Sequence, residues 1–250
     1  MLAAMMKAAW VVFALCAVLG RASVVAAEPP ASDTTKAALH AVLAADAQLQ
    51  DVPFGEVIFG TTGRRVLALD LTRAADRKLI AQIGGALDQV LRELNGVNHP
   101  AHAERRINEV SAHFEKALRA ALNERPGWAC DYPRNAAGRV QRAGYPDLRL
   151  VERESGRVVY LDPKLFERGN RASKLRTFYY APKTETNKVL EDAHHLLVGF
   201  EHTGKTNGHW QFQGWELVDL ARFKVRLKAE FQGSNHDLYR PETIVSRHSP

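Results

Sequence analysis

Apolar residues recur at helical spacing through the first half of the chain. Residues 72–94 and residues 101–123 each carry an apolar side chain every three or four positions, which predicts two amphipathic helices. Asn95-Gly96 is expected to end the first of these helices, and Asn98-His99-Pro100 to start the second. A further helix is predicted from Asp33, which can cap it, to about Gln48.

The second half of the chain has the pattern of a sheet. Residues 145–166 contain two runs rich in Val, Leu and Tyr around Glu154-Ser155-Gly156, which predicts a β-hairpin. Further strands are predicted over residues 177–181, 194–202, 209–220 and 223–231, and residues 125–143 are expected to be irregular. Residues 56–71 are predicted to form two strands around a Thr-Thr-Gly turn. The pattern predicts an α/β or α+β fold with a mixed β-sheet.

These elements divide the chain into regions. Residues 28–100 are expected to form a helical and hairpin extension packed on the core, residues 101–232 the α/β core, and residues 233–250 a polar tail. With 250 residues, 25% of them charged, the chain has the composition of a globular protein rather than a disordered or collagen-like one. Its 2 cysteines exclude a disulfide scaffold and a four-cysteine zinc site.

Residues 1–27 are predicted to be a signal peptide. Lys7 precedes an uncharged apolar run over residues 8–20, and the small residues Val25 and Ala27 precede Glu28. The alternative is an uncleaved membrane anchor, but the run is shorter than the roughly 20 residues that a spanning helix needs. The expectation is export to a bacterial periplasm or secretion, without stable membrane insertion after cleavage. Removal of Lys7 and Arg21 leaves 32 basic and 28 acidic residues, which is too mild an excess to establish a nucleic-acid partner.

The predicted hairpin carries the candidate chemistry. Pro146-Asp147 begins its first strand and Asp162-Pro163-Lys164 closes the second. Residues two apart in a strand share a face, so Asp162 and Lys164 are expected side by side, with Asp147 brought next to them by strand pairing. Two carboxylates beside an ammonium suit a phosphodiesterase that binds Mg²⁺, with Mn²⁺ as the alternative ion.

This arrangement resembles the PD-(D/E)xK nuclease superfamily, which includes many restriction endonucleases. The resemblance implies a restriction-endonuclease-like core, with a mixed sheet flanked by helices, and a metal-dependent nuclease whose expected substrate is DNA. Asp147 and Asp162 would bind the metal, and Lys164 would position or activate the attacking water. A further metal-binding glutamate is expected on the preceding helix. Glu115 is favoured over Glu109 because it follows the apolar Phe114.

Pro163 departs from the family pattern, in which the middle residue of the triplet is usually apolar and able to pair in the sheet. Proline lacks a backbone N–H and is tolerated at edges, bulges and strand ends, so either the strand ends there or its geometry is distorted. This departure and the modest net charge support an alternative from another class of protein. In that alternative, the chain is a catalytically inactive, nuclease-like envelope protein that binds nucleic acid or another polyanion.

Two basic clusters are expected to contact a phosphate backbone. Lys224, Arg226 and Lys228 would share one face of the strand predicted over residues 223–231. The other cluster, which follows the candidate active-site strand, consists of Arg168, Arg171, Lys174 and Arg176. A solvated sheet surface is the alternative interpretation of both.

Two other motifs are weaker. Residues 199–206 match the phosphate-loop pattern GxxxxGK[ST], but a turn and a strand follow them where that loop requires a helix, so a β-hairpin is predicted instead. Four histidines lie close in sequence, at positions 194, 195, 202 and 209. His195 or His209 could approach the carboxylates, and packing within the fold is the alternative.

Overall fold

The computed structural model describes residues 32–246, so the predicted signal peptide lies outside the described residues. The helices are α1 (Asp33–Gln48), α2 (Phe54–Thr62), α3 (Ala74–Leu94), α4 (Ile107–Asn123) and α5 (Asn235–Leu238). The strands are β1 (Val52–Pro53), β2 (Trp128–Asp131), β3 (Leu148–Glu152), β4 (Val158–Glu167), β5 (His194–Thr206), β6 (His209–Asp219) and β7 (Lys224–Val225). Within residues 32–246, none of the helices combines the length and apolarity needed to span a bilayer.

The main sheet has five strands in the order β2-β3-β4-β5-β6. Neighbouring strands are antiparallel except for β4 and β5, which are parallel and joined by the long connection over residues 168–193. The predicted mixed sheet flanked by helices is therefore confirmed. The β3–β4 hairpin lies near the middle of the sheet, where β4 has a partner strand on each side.

The main core lies between the sheet and helices α3 and α4. Leu87 and Val90 of α3 are fully buried with Leu118 of α4 in one apolar cluster, which also contains Val159 and Leu161 of β4. The Phe114 ring of α4 lies 4.3 Å from the Phe200 ring of β5, measured between centroids, so this helix is fixed directly against the sheet. The 3.6-residue periodicity of both helices is explained by this burial.

A second apolar cluster lies on the opposite side of β4 from Val159 and Leu161. Val158 and Tyr160 belong to it together with Phe54 and Ile58 of α2. Since side chains alternate along a strand, Asp162 and Lys164 project from the same side of β4 as Tyr160.

The prediction of two strands over residues 56–71 was wrong, because residues 54–62 form helix α2. Phe54 and Ile58, four positions apart, are both fully buried, and this helical spacing overrides the strand preference of the β-branched residues. Gly63 ends the helix in the left-handed conformation and donates its N–H to the Phe59 carbonyl.

Three further predictions need correction. Residues 128–131 form the edge strand β2 in a segment expected to be irregular, whereas residues 177–181 do not form the predicted strand. The strand predicted over residues 223–231 is reduced to β7, which pairs with β1. Beyond β7 the chain follows residues 46–49 through separate hydrogen bonds, such as that from Leu227 N to Leu49 O (2.8 Å).

Candidate active site

The β4 strand continues through Pro163 and ends at Glu167, so the expectation that it ends or distorts there was wrong. Pro163 is aligned with Val198 of β5, and the register on that side has no break. On the other side, the last hydrogen bond from the β3 segment joins Asp147 N to Leu161 O (3.2 Å). Because the missing N–H of Pro163 faces this side, beyond the start of β3, the proline removes no ladder hydrogen bond.

A cleft of about 500 Å³ opens where β3 begins. Asp147, Asp162 and Lys164 lie on its floor, and Ser111 and Glu115 of α4 are among the residues of its wall. The remaining lining residues are Ile107, Asn108, Gly144, Tyr145, Pro163, Leu165, Arg176, Thr177 and Tyr179. The hairpin geometry thus brings together the three residues of the predicted site.

Lys164 joins the two aspartates. Its Nζ lies 2.7 Å from Asp162 Oδ2 and 3.3 Å from Asp147 Oδ2. Burial, opposed by Lys164 and reinforced by Asp147, raises the pKa of Asp162 to about 7. Burial alone would lower the pKa of Lys164, but the two carboxylates outweigh it and raise that pKa, so the lysine stays protonated.

Asp162 Oδ2 is buried, and its contact with a charged group is the ion pair with the Lys164 ammonium at 2.7 Å. Burial of a carboxylate is costly in free energy, and a divalent cation would add a further positive partner for the carboxylates of Asp147 and Asp162. Within residues 32–246, no three acidic, histidine or cysteine side chains converge closely enough to hold a metal by themselves. The site therefore fits an ion such as Mg²⁺, which takes one or two carboxylates and fills its other positions with water and phosphate oxygens.

The two candidate glutamates of α4 have different surroundings. Glu115 lines the cleft, where its Oε2 accepts a hydrogen bond from the Arg142 guanidinium at 2.7 Å. Glu109 is exposed and accepts from the backbone N–H groups of Arg105 and Arg106, so it caps the start of the helix. Of the two, only Glu115 lines the cleft.

Lys188 is a neighbour of the site that sequence reasoning missed. Its side chain is only 1% exposed and donates to the Gly144 carbonyl at 2.6 Å and to the Arg142 carbonyl at 3.4 Å. Burial lowers the pKa of Lys188 to about 8, although Asp147 and Asp162 oppose the shift. A lysine in an irregular polar segment gives no sequence signal of burial, so only the fold could reveal it.

The four histidines do not form a cluster at the carboxylates. His195 is buried behind the cleft, where its Nδ1 lies 2.7 Å from the Tyr145 hydroxyl and burial lowers its pKa to about 3. The His209 ring packs edge-to-face against His102, and His194 Nδ1 is hydrogen-bonded to the Leu67 carbonyl. The phosphate-loop match at residues 199–206 lies within β5 and leads into an Asn207-Gly208 turn to β6, as the hairpin prediction required.

The predicted basic cluster that follows β4, called here the first basic cluster, is largely paired with acids. Arg168 contacts Glu201 at 2.6 Å, Arg171 contacts Glu216, and Arg176 contacts Glu230 at 3.3 Å. Arg176 also lines the cleft, while Lys174 is exposed and has no ion-pair partner within residues 32–246.

The second basic cluster, predicted over residues 223–231, is exposed but does not lie on a regular strand. Lys224 and Arg226 have solvent-facing side chains, and Lys228 pairs with Glu230 at 2.7 Å. Only Lys224 belongs to a strand, β7.

Two carboxylates and a lysine lie together at the open end of a hairpin in a mixed sheet. This is the arrangement expected of a PD-(D/E)xK nuclease. Comparison with known proteins agrees with that class. Residues 47–242 match the model of the type II restriction enzyme MjaV family. The chain is also 30% identical over 207 residues to the type II restriction enzyme MjaV of Methanocaldococcus jannaschii, covering 79% of this chain and 89% of that enzyme. The chain belongs to the MjaV family, and it is an endonuclease that hydrolyses phosphodiester bonds in DNA.

Proposed function

We propose that the cleft is the active site of a divalent-metal-dependent DNA endonuclease, in which Asp147 and Asp162 hold the metal. The observation that carries this proposal is the convergence of Asp147 and Asp162 on the Lys164 ammonium, at 3.3 Å and 2.7 Å, within the cleft. Mg²⁺ is the expected ion and Mn²⁺ its substitute, because hard carboxylate oxygens suit both. Glu115 would contribute a third carboxylate once its bond to Arg142 is released.

In this proposal, Lys164 orients the attacking water. The two aspartates hold its ammonium at the cleft floor, and their charge keeps it protonated. A fixed positive charge there stabilises negative charge that develops on the phosphate oxygens. A bound divalent ion would acidify the water and withdraw charge from the phosphate.

The basic clusters are proposed to contact the DNA backbone around this cleft. Arg176 is the best placed of them because it lines the cleft itself. The exposed Lys174, Lys224 and Arg226 lie on the described surface without ion-pair partners within residues 32–246, so they are available to phosphates. Contacts of this kind position a duplex and do not depend on its sequence.

The test is cleavage of plasmid DNA with Mg²⁺, with Mn²⁺ and with EDTA, by the wild type and by matched variants. Asp162→Asn and Lys164→Met should each lower the cleavage rate by about a thousandfold or more, since each removes a group that acts directly on the reaction. Glu154→Gln, at the exposed turn of the same hairpin, removes one carboxylate and should leave the rate unchanged. A cleavage rate of Asp162→Asn equal to that of the wild type would refute the assignment of Asp162 to the metal site. DNA binding without metal-dependent cutting by the wild type would favour the binding-protein alternative.

Export remains part of the proposal. The predicted signal peptide, residues 1–27, lies outside both the described residues and the family match, which begins at residue 47. Its basic start, apolar run and small residues before Glu28 support secretion. Expression in a bacterial host followed by fractionation and N-terminal sequencing should give a periplasmic protein that begins at Glu28. A cytoplasmic protein that retains residues 1–27 would contradict it.

A further inference from the structure

An exposed hairpin connects β2 to β3 and leads into Gly144 and Tyr145, which line the cleft. Residues 133–143, called here the arginine hairpin, are closed by a bridge between Arg134 and Val140. Its turn is built around Asn135, which is only 3% exposed and accepts hydrogen bonds at Oδ1 from Ala137 N and Arg139 N, both at 3.1 Å. Gly138 has a positive φ of 75° and donates its N–H to the Asn135 carbonyl at 2.8 Å. These bonds fix the conformation of the turn although it projects into solvent.

The arginine hairpin is tied to the active-site region at its turn and at its base. Ala136 N donates to the Asn187 carbonyl at 3.2 Å, and the buried Lys188 next to it binds the carbonyls of Arg142 and Gly144. The Arg142 side chain reaches Glu115 in the cleft. The orientation of the hairpin relative to Asp147 and Asp162 is therefore fixed by hydrogen bonds at its turn and at its base.

The tip presents one cation and one apolar side chain. Arg139 is exposed and makes neither an ion pair nor a side-chain hydrogen bond within residues 32–246, whereas Arg134 is held against the Gly138 carbonyl at 2.8 Å. Val140, next to Arg139, is 53% exposed. The arginines of the first basic cluster differ, because Arg168 and Arg171 are paired with glutamates.

We propose that the arginine hairpin enters a groove of the bound DNA and reads its sequence, with Arg139 as the specificity-determining residue. This inference rests on the proposed function. The major groove of DNA, about 12 Å wide, admits a two-stranded ribbon. An arginine there can bind the O6 and N7 atoms of guanine with two hydrogen bonds, and an apolar side chain can contact the thymine methyl group. Arg139 and Val140 offer that pair of contacts from a rigid turn.

The matched control is Arg153→Ala. Arg153 is also exposed and without an ion pair within residues 32–246, but it lies in the turn that follows β3, about 17 Å along the strand direction from the cleft. The experiment maps the ends that the wild type, Arg139→Ala, Arg139→Lys and Arg153→Ala produce from a large sequenced DNA. The affinity of each protein for short duplexes, with and without the wild-type cut site, is measured in EDTA so that binding is separated from cleavage.

Arg139→Ala should relax or abolish the cut-site preference and should weaken binding to the cut-site duplex about tenfold or more, with little change for the other duplex. Arg139→Lys should retain only part of the cut-site preference, because lysine cannot form the two hydrogen bonds to guanine that arginine forms. Arg153→Ala should behave as the wild type. The inference is overturned if Arg139→Ala keeps the wild-type cut sites, if it weakens both duplexes equally, or if the wild type has no sequence preference.

Failure of the proposed function would look different. If the wild type does not cut any DNA, selection of bound duplexes from a random pool still tests the arginine hairpin. Enrichment of a sequence by the wild type that is lost in Arg139→Ala supports the inference, and the absence of such a difference overturns it.

Discussion

The cleft and the first basic cluster both pair cations with carboxylates, but the cleft contains a carboxylate, Asp162, that is almost fully buried. Asp162 is 2% exposed, and its pKa is raised to about 7 by burial, against the opposing charge of Lys164. Arg168 and Arg171 make contacts with Glu201 and Glu216 on the surface, where water screens the charges. The difference shows that burial can raise the pKa of a carboxyl even when an ion pair opposes the shift.

The largest expected effect in this comparison concerns Lys188. Replacement by Met removes the bonds that hold the carbonyls of residues 142 and 144 next to Asp147, so kcat for DNA cleavage should fall about 10- to 100-fold with little change in KM. Lys188→Arg should restore part of the rate, because a guanidinium can donate to the same carbonyls. Lys78→Met on the exposed side of α3 is the control. An unchanged kcat in Lys188→Met would show that the buried ammonium does not position the site.

A smaller effect is expected on stability in the absence of metal. Because the folded-state pKa of Asp162 is raised, the native state binds more protons than the unfolded state between about pH 4 and pH 7, and stability falls as the pH rises through that window. Asp162→Asn removes the buried charge and should raise the free energy of unfolding at pH 8 by about 1–2 kcal/mol.

Denaturant unfolding of the metal-free wild type and Asp162→Asn at pH 5 and pH 8 measures this effect. The gain should shrink toward pH 5, where the wild-type carboxyl is already protonated. A variant that is less stable than the wild type at pH 8 would mean that the contact with Lys164 outweighs the cost of burial.

The smallest effect is expected in the first basic cluster. Arg168→Ala and Arg171→Ala should each change the free energy of unfolding by less than about 0.5 kcal/mol, because both arginines are exposed. Their DNA binding should weaken to a similar extent for all sequences and show a shallower salt dependence. Thermal unfolding and binding titrations at several salt concentrations test both points. A loss of several kcal/mol in the free energy of unfolding would contradict the difference between this cluster and the cleft.

Periodicity was sufficient to predict the central part of the fold. The spacing of Leu87 and Val90 predicted α3, and the Glu154-Ser155-Gly156 turn predicted the β3–β4 hairpin, because these patterns follow directly from burial on one face. The same reasoning failed at α2, where β-branched residues favour a strand and only tertiary packing of Phe54 and Ile58 decides for a helix.

The candidate site was predictable where its residues lie on one hairpin. Asp147, Asp162 and Lys164 follow from strand alternation and the family pattern, and the structure brings them into contact. Lys188 and Arg142 come from irregular segments, whose course depends on long-range hydrogen bonds that leave no local pattern. Residues 223–231 kept their alternation in sequence, but after β7 the chain follows residues 46–49 and the regular strand ends.

Asp147 and Asp162 are proposed to form the metal site of the nuclease. The most direct test is a crystal of the wild-type protein grown with Mn²⁺, in which anomalous scattering locates the ion. We expect a Mn²⁺ peak coordinated by Asp162 Oδ2 and an Asp147 carboxylate oxygen, and we expect this peak to disappear in crystals of Asp162→Asn. A peak held elsewhere, or one that persists in the variant, would contradict it.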